Sequence, residues 1–372
     1  MKIGLVGLPK SGKTTLFNLL TGSSVATSRY DAGRAELHTG VARVPDPRVD
    51  RLTGLFKPKK TTYASFEVVD LAGIEKGERS ALDAKEFRNA DALLHVVRAF
   101  ADDARGAADP RRDILDLEME LILADLEVVE RRLERLEVSI KKQRKDAEVK
   151  EQEVLGRLKT ALESETPLRA VTLSPEDARL IRGFTFLSEK PILHLVNVEE
   201  KAIGEGERMG GEGGTLRGFP FNVERYGLAE VAARRHTRVG WVSAVIEAEI
   251  AALEGAEQQA FLTDLGLAEP AINRVLREAF ALLGLISFFT VGEDEVRAWP
   301  IAGGTRAQDA AGAVHSDIAR GFIRAEVNGY DELVAVEGSF ADLRSKGQLR
   351  LEGKEYVVQD GEVCHFRFNV AK

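Results

Sequence analysis

The residues best suited to chemistry lie near the start of the chain. In KIGLVGLPKSGKTTLFNLL, Gly7, Gly12, Lys13 and Thr14 keep the spacing G-x-x-x-x-G-K-[ST]. An apolar run from Ile3 to Val6 precedes the loop, and a helical pattern carrying Leu16, Phe17 and Leu19 follows it. A glycine loop between a strand and a helix can turn successive backbone N–H groups, from Lys10, Ser11 and Gly12 through Thr14 and Thr15, towards a diphosphate. Lys13 then reaches the β- and γ-phosphates, the Thr14 hydroxyl binds Mg²⁺, and the positive end of the helix dipole points at the same charge. A glycine turn in an unrelated α/β unit is the competing reading. The strand before and the helix after favour a nucleotide site.

Two later stretches carry matching chemistry. The strand Ala64 to Val69 runs into DLAG, which sets Asp70 at a strand's carboxyl end. There Asp70 can hold a water of the Mg²⁺ shell, and the Gly73 N–H can face a γ-phosphate, giving Lys13 and Gly73 catalytic roles. A turn aspartate is the plainer alternative. In PILHLVNVEE, Asn197-Val198-Glu199-Glu200 follows the strand Pro191 to Val196, in the place where a P-loop GTPase carries Asn-Lys-x-Asp. That aspartate accepts hydrogen bonds from guanine N1–H and N2–H₂. Val198 replaces the lysine here, and Glu200, one methylene longer, replaces the aspartate. A carboxylate in the guanine-reading position repels adenine N1, so a displaced Glu200 with Asn197 on the N7/N6 edge admits adenine. The backbone at Ser243-Ala244, after a strand Val239 to Ser243, could line the base.

The elements that must position these groups follow from pattern. Residues 22–39 read as a polar loop where a first nucleotide switch would lie. Thr39 to Val44 and Ala64 to Val69 read as strands joined through a proline-rich turn, VPDPRVD, and Ala92 to Val97 as a buried strand. From Ile114 to about Leu162 the period is helical, with Leu126, Val129, Leu133, Leu136 and Ile140 forming a seam that Val154, Leu155, Leu158 and Leu162 resume. The basic run Lys141, Lys142, Arg144, Lys145 breaks the seam, which predicts a helical hairpin with those charges near its tip. They are either a solvated face or a contact for RNA. From Ser287, the stretches ISFFTV, EVRAWPI, FIRAEV, EYVVQD and CHFRFNV read as strands around one helical stretch, Ala307 to Ala319, a small α+β domain. His315 and Arg324 there are candidates for a binding face or ordinary polar residues.

The bulk composition narrows the class. A chain of 372 residues predicts two or three domains. The net charge of −8 marks no general nucleic-acid binder, so no DNA partner is expected. Cys364 is the only cysteine, which excludes an internal disulfide and fits a reducing compartment. The start MKIGLVGLPK predicts no secretory leader, and no run approaches the ~20 apolar residues of a membrane span. A cytoplasmic monomer is expected.

The segments GLPKSGKTTLFN, VPDPRVD, FEVVDLAG, MELILADLEVVERRL, NVEE, LGLAEPAINRVLREAFALLGLISFFTVGEDEVRAWPI and AAGAVHSDIARGFIRAEV resemble the Obg-like ATPases of the YchF group over essentially the whole chain. The resemblance implies an α/β P-loop nucleotide domain (1–110 and 185–286), an inserted helical coiled-coil arm (111–184) and a C-terminal TGS domain of β-grasp fold (287–372). It implies ATP with Mg²⁺, preference over GTP, and the ribosome or its RNA as partner. The chain departs from the family where hydrolysis is controlled. Lys10 stands where the family has an asparagine that helps hold a monovalent cation in potassium-dependent relatives; its ammonium either takes that cation's position or is solvated. RAELH puts Arg34 where a metal-sensing threonine is expected. The stretch after DLAGIEKG lacks a longer glycine-rich loop, and Ala101 to Pro110 lacks a histidine. Ile74 follows Gly73, so no glutamine orients water. A slow ATPase read by the ribosome is the expectation, with a binding module of little turnover or a GTPase as alternatives.

Overall fold

The computed structural model describes residues 1–24, 37–71, 85–101, 106–204 and 224–369. The chain divides into two compact units, Met1–Val41 with Glu67–Val275, and Ala42–Phe66 with Leu276–Lys372. The expected continuous segment 1–110 therefore does not stay together: its residues 42–66 group with the C-terminal part.

The first unit is built on a sheet of order β2-β4-β1-β5-β6-β7. Its strands are β1 (Lys2–Val6), β2 (Leu37–Arg43), β4 (Ser65–Leu71), β5 (Ala92–Ala99), β6 (Ile192–Val198) and β7 (Thr237–Val242); β3 (Lys60–Thr62) lies in the other sheet. β1 pairs in parallel with β4 and β5, β5 with β6, and β6 with β7. β6 is buried along its whole length and β5 up to its last residue, as parallel strands covered on both faces must be. β6 extends further than its apolar run suggests, so Asn197 and Val198 end the strand instead of following it.

Helix α1 (Lys13–Thr21) follows β1. The expected turn VPDPRVD (44–50) instead opens a helix, α2 (Pro47–Phe56). Asp46 caps it by accepting from the Arg48 N–H at 2.9 Å, and Pro47 fills the first helical position, where its missing N–H costs nothing. Two long helices, α3 (Pro110–Lys142) and α4 (Asp146–Glu163), form the predicted hairpin. Val129, Leu136, Val154, Leu155, Leu158 and Leu162 are buried between them, and Lys141 and Lys142 at the end of α3 and Arg144 and Lys145 in the turn are exposed. Arg132 grips Glu151 across the seam through two hydrogen bonds of 2.7 and 2.8 Å.

The N-terminal half of α3 lies on the sheet, where Leu117 and Leu121 pack with Val6, Leu93 and Ile192. Asp125 then accepts from the Leu187 N–H at 2.9 Å and the Ser188 N–H at 2.7 Å, fastening the hairpin's return. Helix α5 (Ala244–Ala252) follows β7. Its buried Glu247 accepts from Ala271 N–H at 2.8 Å and Ile272 N–H at 3.0 Å, and so caps helix α6 (Ala271–Leu282).

The second unit carries a mixed sheet of order β11-β10-β12-β8-β9-β3. The strands are β8 (Leu285–Thr290), β9 (Glu295–Ala302), β10 (Phe322–Gly329), β11 (Arg350–Glu352) and β12 (Glu362–Phe368). β8 and β12 are parallel neighbours, β10 is antiparallel to β12, and β3 pairs in parallel with β9. Helix α7 (Ala307–Val314) packs Ala307, Ala310 and Ala311 against Phe288, Val327 and Phe366.

Two expectations fail here. The helical stretch breaks at His315, whose extended backbone starts a second short helix and whose Nδ1 accepts from the Asp317 N–H at 3.1 Å. EYVVQD is no strand: Val357 makes a single bridge to Arg306, and Glu362 ties the segment down through the Tyr356 hydroxyl at 2.6 Å and the Gln359 N–H at 2.9 Å.

Candidate functional site

The site forms at the carboxyl ends of β1, β4 and β6, where open α/β sheets place their ligands. Gly7 leaves β1 at φ 149°, and a Cβ there would run into the Val96 carbonyl. Gly12 precedes α1 at φ 98°, and a Cβ there would collide with Asn197 Nδ2. Both positions therefore need glycine for conformation and for space. Lys13 is buried, and its ammonium donates to the Gly7 carbonyl at 2.6 Å, folding across the loop. Thr14 and Thr15 are half-buried at the start of α1, and Lys10 is exposed with a left-handed φ of 64°.

Asn197 holds the loop from below. Its Nδ2 donates to the Ser11 carbonyl at 2.9 Å, and its Oδ1 accepts from the Ala244 N–H at 2.9 Å. The residue expected to read a base thus ties the phosphate loop to the turn after β7. Ser11 and Ser243 are buried, and neither hydroxyl oxygen has a partner among the described residues. Val198 is buried in the β6 ladder opposite Ala99, so it cannot cover a base as a lysine stem would. Glu200 is exposed. Its neighbour Glu199, not singled out in the sequence, accepts from the Ala101 N–H at 3.0 Å.

Asp70 is buried at the end of β4, and its Oδ1 has no partner among the described residues. Burial raises its carboxyl above the ordinary range, against the pull of Lys13 and His38. A buried carboxylate oxygen without a donor, near the start of α1, fits a hydrated divalent cation held with the Thr14 hydroxyl. Gly73, Ile74 and Arg34 lie outside the described residues, as does most of the first switch segment.

The sequence reading also passed over a buried polar chain beneath the loop. His95 and His194 occupy paired positions of β5 and β6, and their Nδ1 atoms are 3.0 Å apart. His194 Nε2 lies 3.4 Å from Glu118 Oε1, and Glu118 pairs with Arg169. Arg169 also donates to Thr237 Oγ1 at 3.1 Å and to the Ser188 carbonyl at 3.2 Å. Burial pushes both imidazoles down, His95 furthest. Burial also opposes ionisation of Glu118, but the adjacent His194 ring and the paired Arg169 charge prevail and hold it down to about 2. One histidine at the same register in each of two mostly apolar strands, ALLHVVRA and ILHLVNV, was the available signal.

Comparison with known proteins agrees with this geometry. Residues 2–132 match a family model described as a 50S ribosome-binding GTPase. Residues 285–369 match YchF-GTPase_C, described as a protein of unknown function (DUF933). The chain is 44% identical to a protein of Bacillus subtilis (strain 168) named ribosome-binding ATPase YchF, over 99% of each chain. It is 40% identical to a protein of the same name from Haemophilus ducreyi (strain 35000HP / ATCC 700724), again over 99% of both. The solved structure of the Schizosaccharomyces pombe YchF GTPase superposes with a TM-score of 0.81 at 28% identity, covering 99% of this chain and 97% of that one. Since likeness at this level runs from the phosphate loop through the helical hairpin to the last strand, the chain belongs to the YchF family.

Proposed function

We propose that the protein is a ribosome-associated P-loop ATPase with slow turnover. The observation that carries the base preference is the altered motif after β6, where Val198 is buried and Glu200 is exposed. No aspartate stands at the guanine-reading position, so guanine loses its two charge-assisted hydrogen bonds and adenine escapes the repulsion of its N1. In this reading the backbone N–H groups of Lys10 to Thr15 and the ammonium of Lys13 bind the phosphates. Asn197 keeps the loop and the Ser243-Ala244 turn at fixed separation under the nucleoside. Thr14 and Asp70 would hold Mg²⁺, which when bound neutralises charge on the β- and γ-phosphates. The Gly73 N–H would face the γ-phosphate. With Ile74 following Gly73, no side chain there orients the attacking water, which leaves charge stabilisation without positioning of the nucleophile.

The names of the bacterial relatives support the ATPase and ribosome reading; the name of the fission-yeast structure carries the word GTPase. Residues 111–184 are assigned as a coiled-coil arm inserted in a nucleotide domain formed by the rest of the first unit, Met1–Val41 with Glu67–Val275. Residues 287–372 are assigned as a TGS domain, supported by the central parallel pair β8–β12 and the helix α7 across the sheet. A monomer working in the cytoplasm without DNA fits this reading. Among the described residues no helix is long and apolar enough to cross a membrane.

Calorimetry with ATP and GTP, followed by single-turnover hydrolysis with and without ribosomes, tests the proposal. ATP should bind at least tenfold more tightly, and the paired substitutions Val198→Lys and Glu200→Asp, which restore the guanine-reading motif, should narrow the gap. Tighter GTP binding by the unaltered protein would overturn it. ATP binding with no turnover, even on ribosomes, would favour a nucleotide-responsive binding module, the reading that Ile74 supports.

A further inference from the structure

We propose that His95 is a positioning residue for the phosphate loop, held in one tautomer by the buried chain Glu118–His194–His95 that starts at the root of the helical hairpin. The proposal deepens the nucleotide-site reading and rests on it.

Two Nδ1 atoms 3.0 Å apart can share only one hydrogen between them, unless both rings are charged. Two imidazolium ions in contact, each fully buried, would cost more than the fold can supply, and the nearby Lys13 charge adds to that cost at His95. Burial also holds each imidazole below its ordinary range, which disfavours a single charged ring as well, so both rings are neutral and the nearby Glu118 sets the direction of the hydrogen bond. Its ionised carboxylate lies 3.4 Å from His194 Nε2, outside hydrogen-bond alignment but close enough to favour the hydrogen on that nitrogen, which leaves His194 Nδ1 as an acceptor. His95 must then donate from Nδ1, and its Nε2 keeps a bare lone pair. The His95 ring lines one cavity with Gly7 and Leu8 of the phosphate loop and with Asp113, Asp116, Leu117 and Glu120 of α3. Nε2 is the nitrogen left to serve that cavity, since Nδ1 is engaged by His194.

Asp113, Asp116 and Glu120 already line that cavity, and a neutral acceptor under Gly7-Leu8 can orient a backbone N–H or a water there without adding further negative charge below a triphosphate. A carboxylate in the same place would oppose nucleotide binding. The far end of the chain is anchored where the hairpin leaves and re-enters the sheet. Glu118 belongs to α3, and Arg169, which grips it, follows α4 and is fixed by Ser188 and Thr237. Displacing α3 at its root withdraws Glu118, releases the tautomer and frees His95 to turn a hydrogen towards the loop. Seating of the hairpin and nucleotide affinity are coupled by this route.

The test uses the full-length protein with MgATP. His95→Phe keeps the ring and removes the acceptor; His194→Phe removes the partner without entering the cavity. Each should weaken MgATP binding about tenfold, and the double variant should be no weaker than either single one, because both act through one chain. His95→Gln, which can present an acceptor near the Nε2 position, should recover most of the affinity. Long-range ¹⁵N spectra of the unaltered protein should show His95 protonated on Nδ1 and His194 on Nε2, with the His95 signals moving on nucleotide addition and in Glu118→Gln. Folded phenylalanine variants with unchanged affinity, or losses that multiply, would overturn the proposal. Should those variants not fold, His95 protonated on Nε2, or silent to nucleotide, overturns it from the unaltered protein alone. Failure of the unaltered protein to bind MgATP would instead refute the nucleotide-site reading.

Discussion

Gly12 is the residue at which the phosphate loop and the base side of the site meet. Its positive φ and the nearness of Asn197 mean that Gly12→Ala both strains the backbone and pushes the carboxamide off Ser11. This variant should lose nucleotide binding beyond detection and about 1–3 kcal/mol of stability, read by calorimetry and by denaturant unfolding. Lys13→Ala separates binding from folding. The lysine's buried hydrogen bond to the Gly7 carbonyl is lost in this variant, which should cost on the order of 1–2 kcal/mol of stability without preventing folding, while triphosphate affinity falls at least a hundredfold. Unchanged affinity would refute the site. Lys10 stands in a left-handed conformation that asparagine tolerates better than most residues, so Lys10→Asn should leave the loop intact. Turnover of the unaltered protein should be the same in K⁺ and Na⁺ at equal ionic strength, and strong K⁺ stimulation would show that Lys10 does not stand in for a bound cation.

The sheet and hairpin were legible because their signals are periodic and local. Buried parallel strands are short apolar runs, and the seam of α3 and α4 repeats three and four apart. The links between elements were not legible. Glu118, His95, His194 and Arg169 come from four separate segments; the strand order pairs the two histidines, and the packing of α3 and of the segment after α4 on the sheet brings in Glu118 and Arg169. Helix α2 had a local signal, Asp46 before Pro47, that the prolines obscured by resembling a turn. EYVVQD has the alternation of a strand, yet Val358 spends its apolar surface in the core from a loop that Glu362 holds in place. At this scale the buried ion pair gives a prediction with a sign. Glu118 lies at about 2 against an ordinary 4.5, so its charged form stabilises the fold above roughly pH 4.5, and that contribution is lost as pH falls towards 2. Glu118→Gln should cost on the order of 3 kcal/mol at pH 7 by urea unfolding, with the gap to the unaltered protein closing below pH 4.5. A gap that persists undiminished at pH 3.5 would mean that the loss comes from packing.

The path of the chain between the two units has consequences for the molecule as a whole. Residues 42–66 leave the first unit before Asp70 is reached and join a unit whose remainder begins only at Leu276. There β3 adds to the edge of β9, with Lys59 reaching Asp294 at 2.7 Å across a separation of 235 residues, and Arg48 reaches Asp360 at 2.7 Å. A chain ending at Val275 therefore leaves α2 and β3 without their sheet. Limited proteolysis of residues 1–275 should cut first within 42–66, at sites resistant in the full chain, while the nucleotide still protects the phosphate loop. Equal resistance in both would show that this segment holds its structure alone. During synthesis the same arrangement imposes a wait. At about 5–20 residues per second, β3 leaves the ribosome some tens of seconds before β9 exists to pair with it. Throughout that interval the nascent chain displays an unpaired edge and an uncovered amphipathic helix, which makes residues 42–66 a stretch for a holding chaperone to cover while translation of its own message continues.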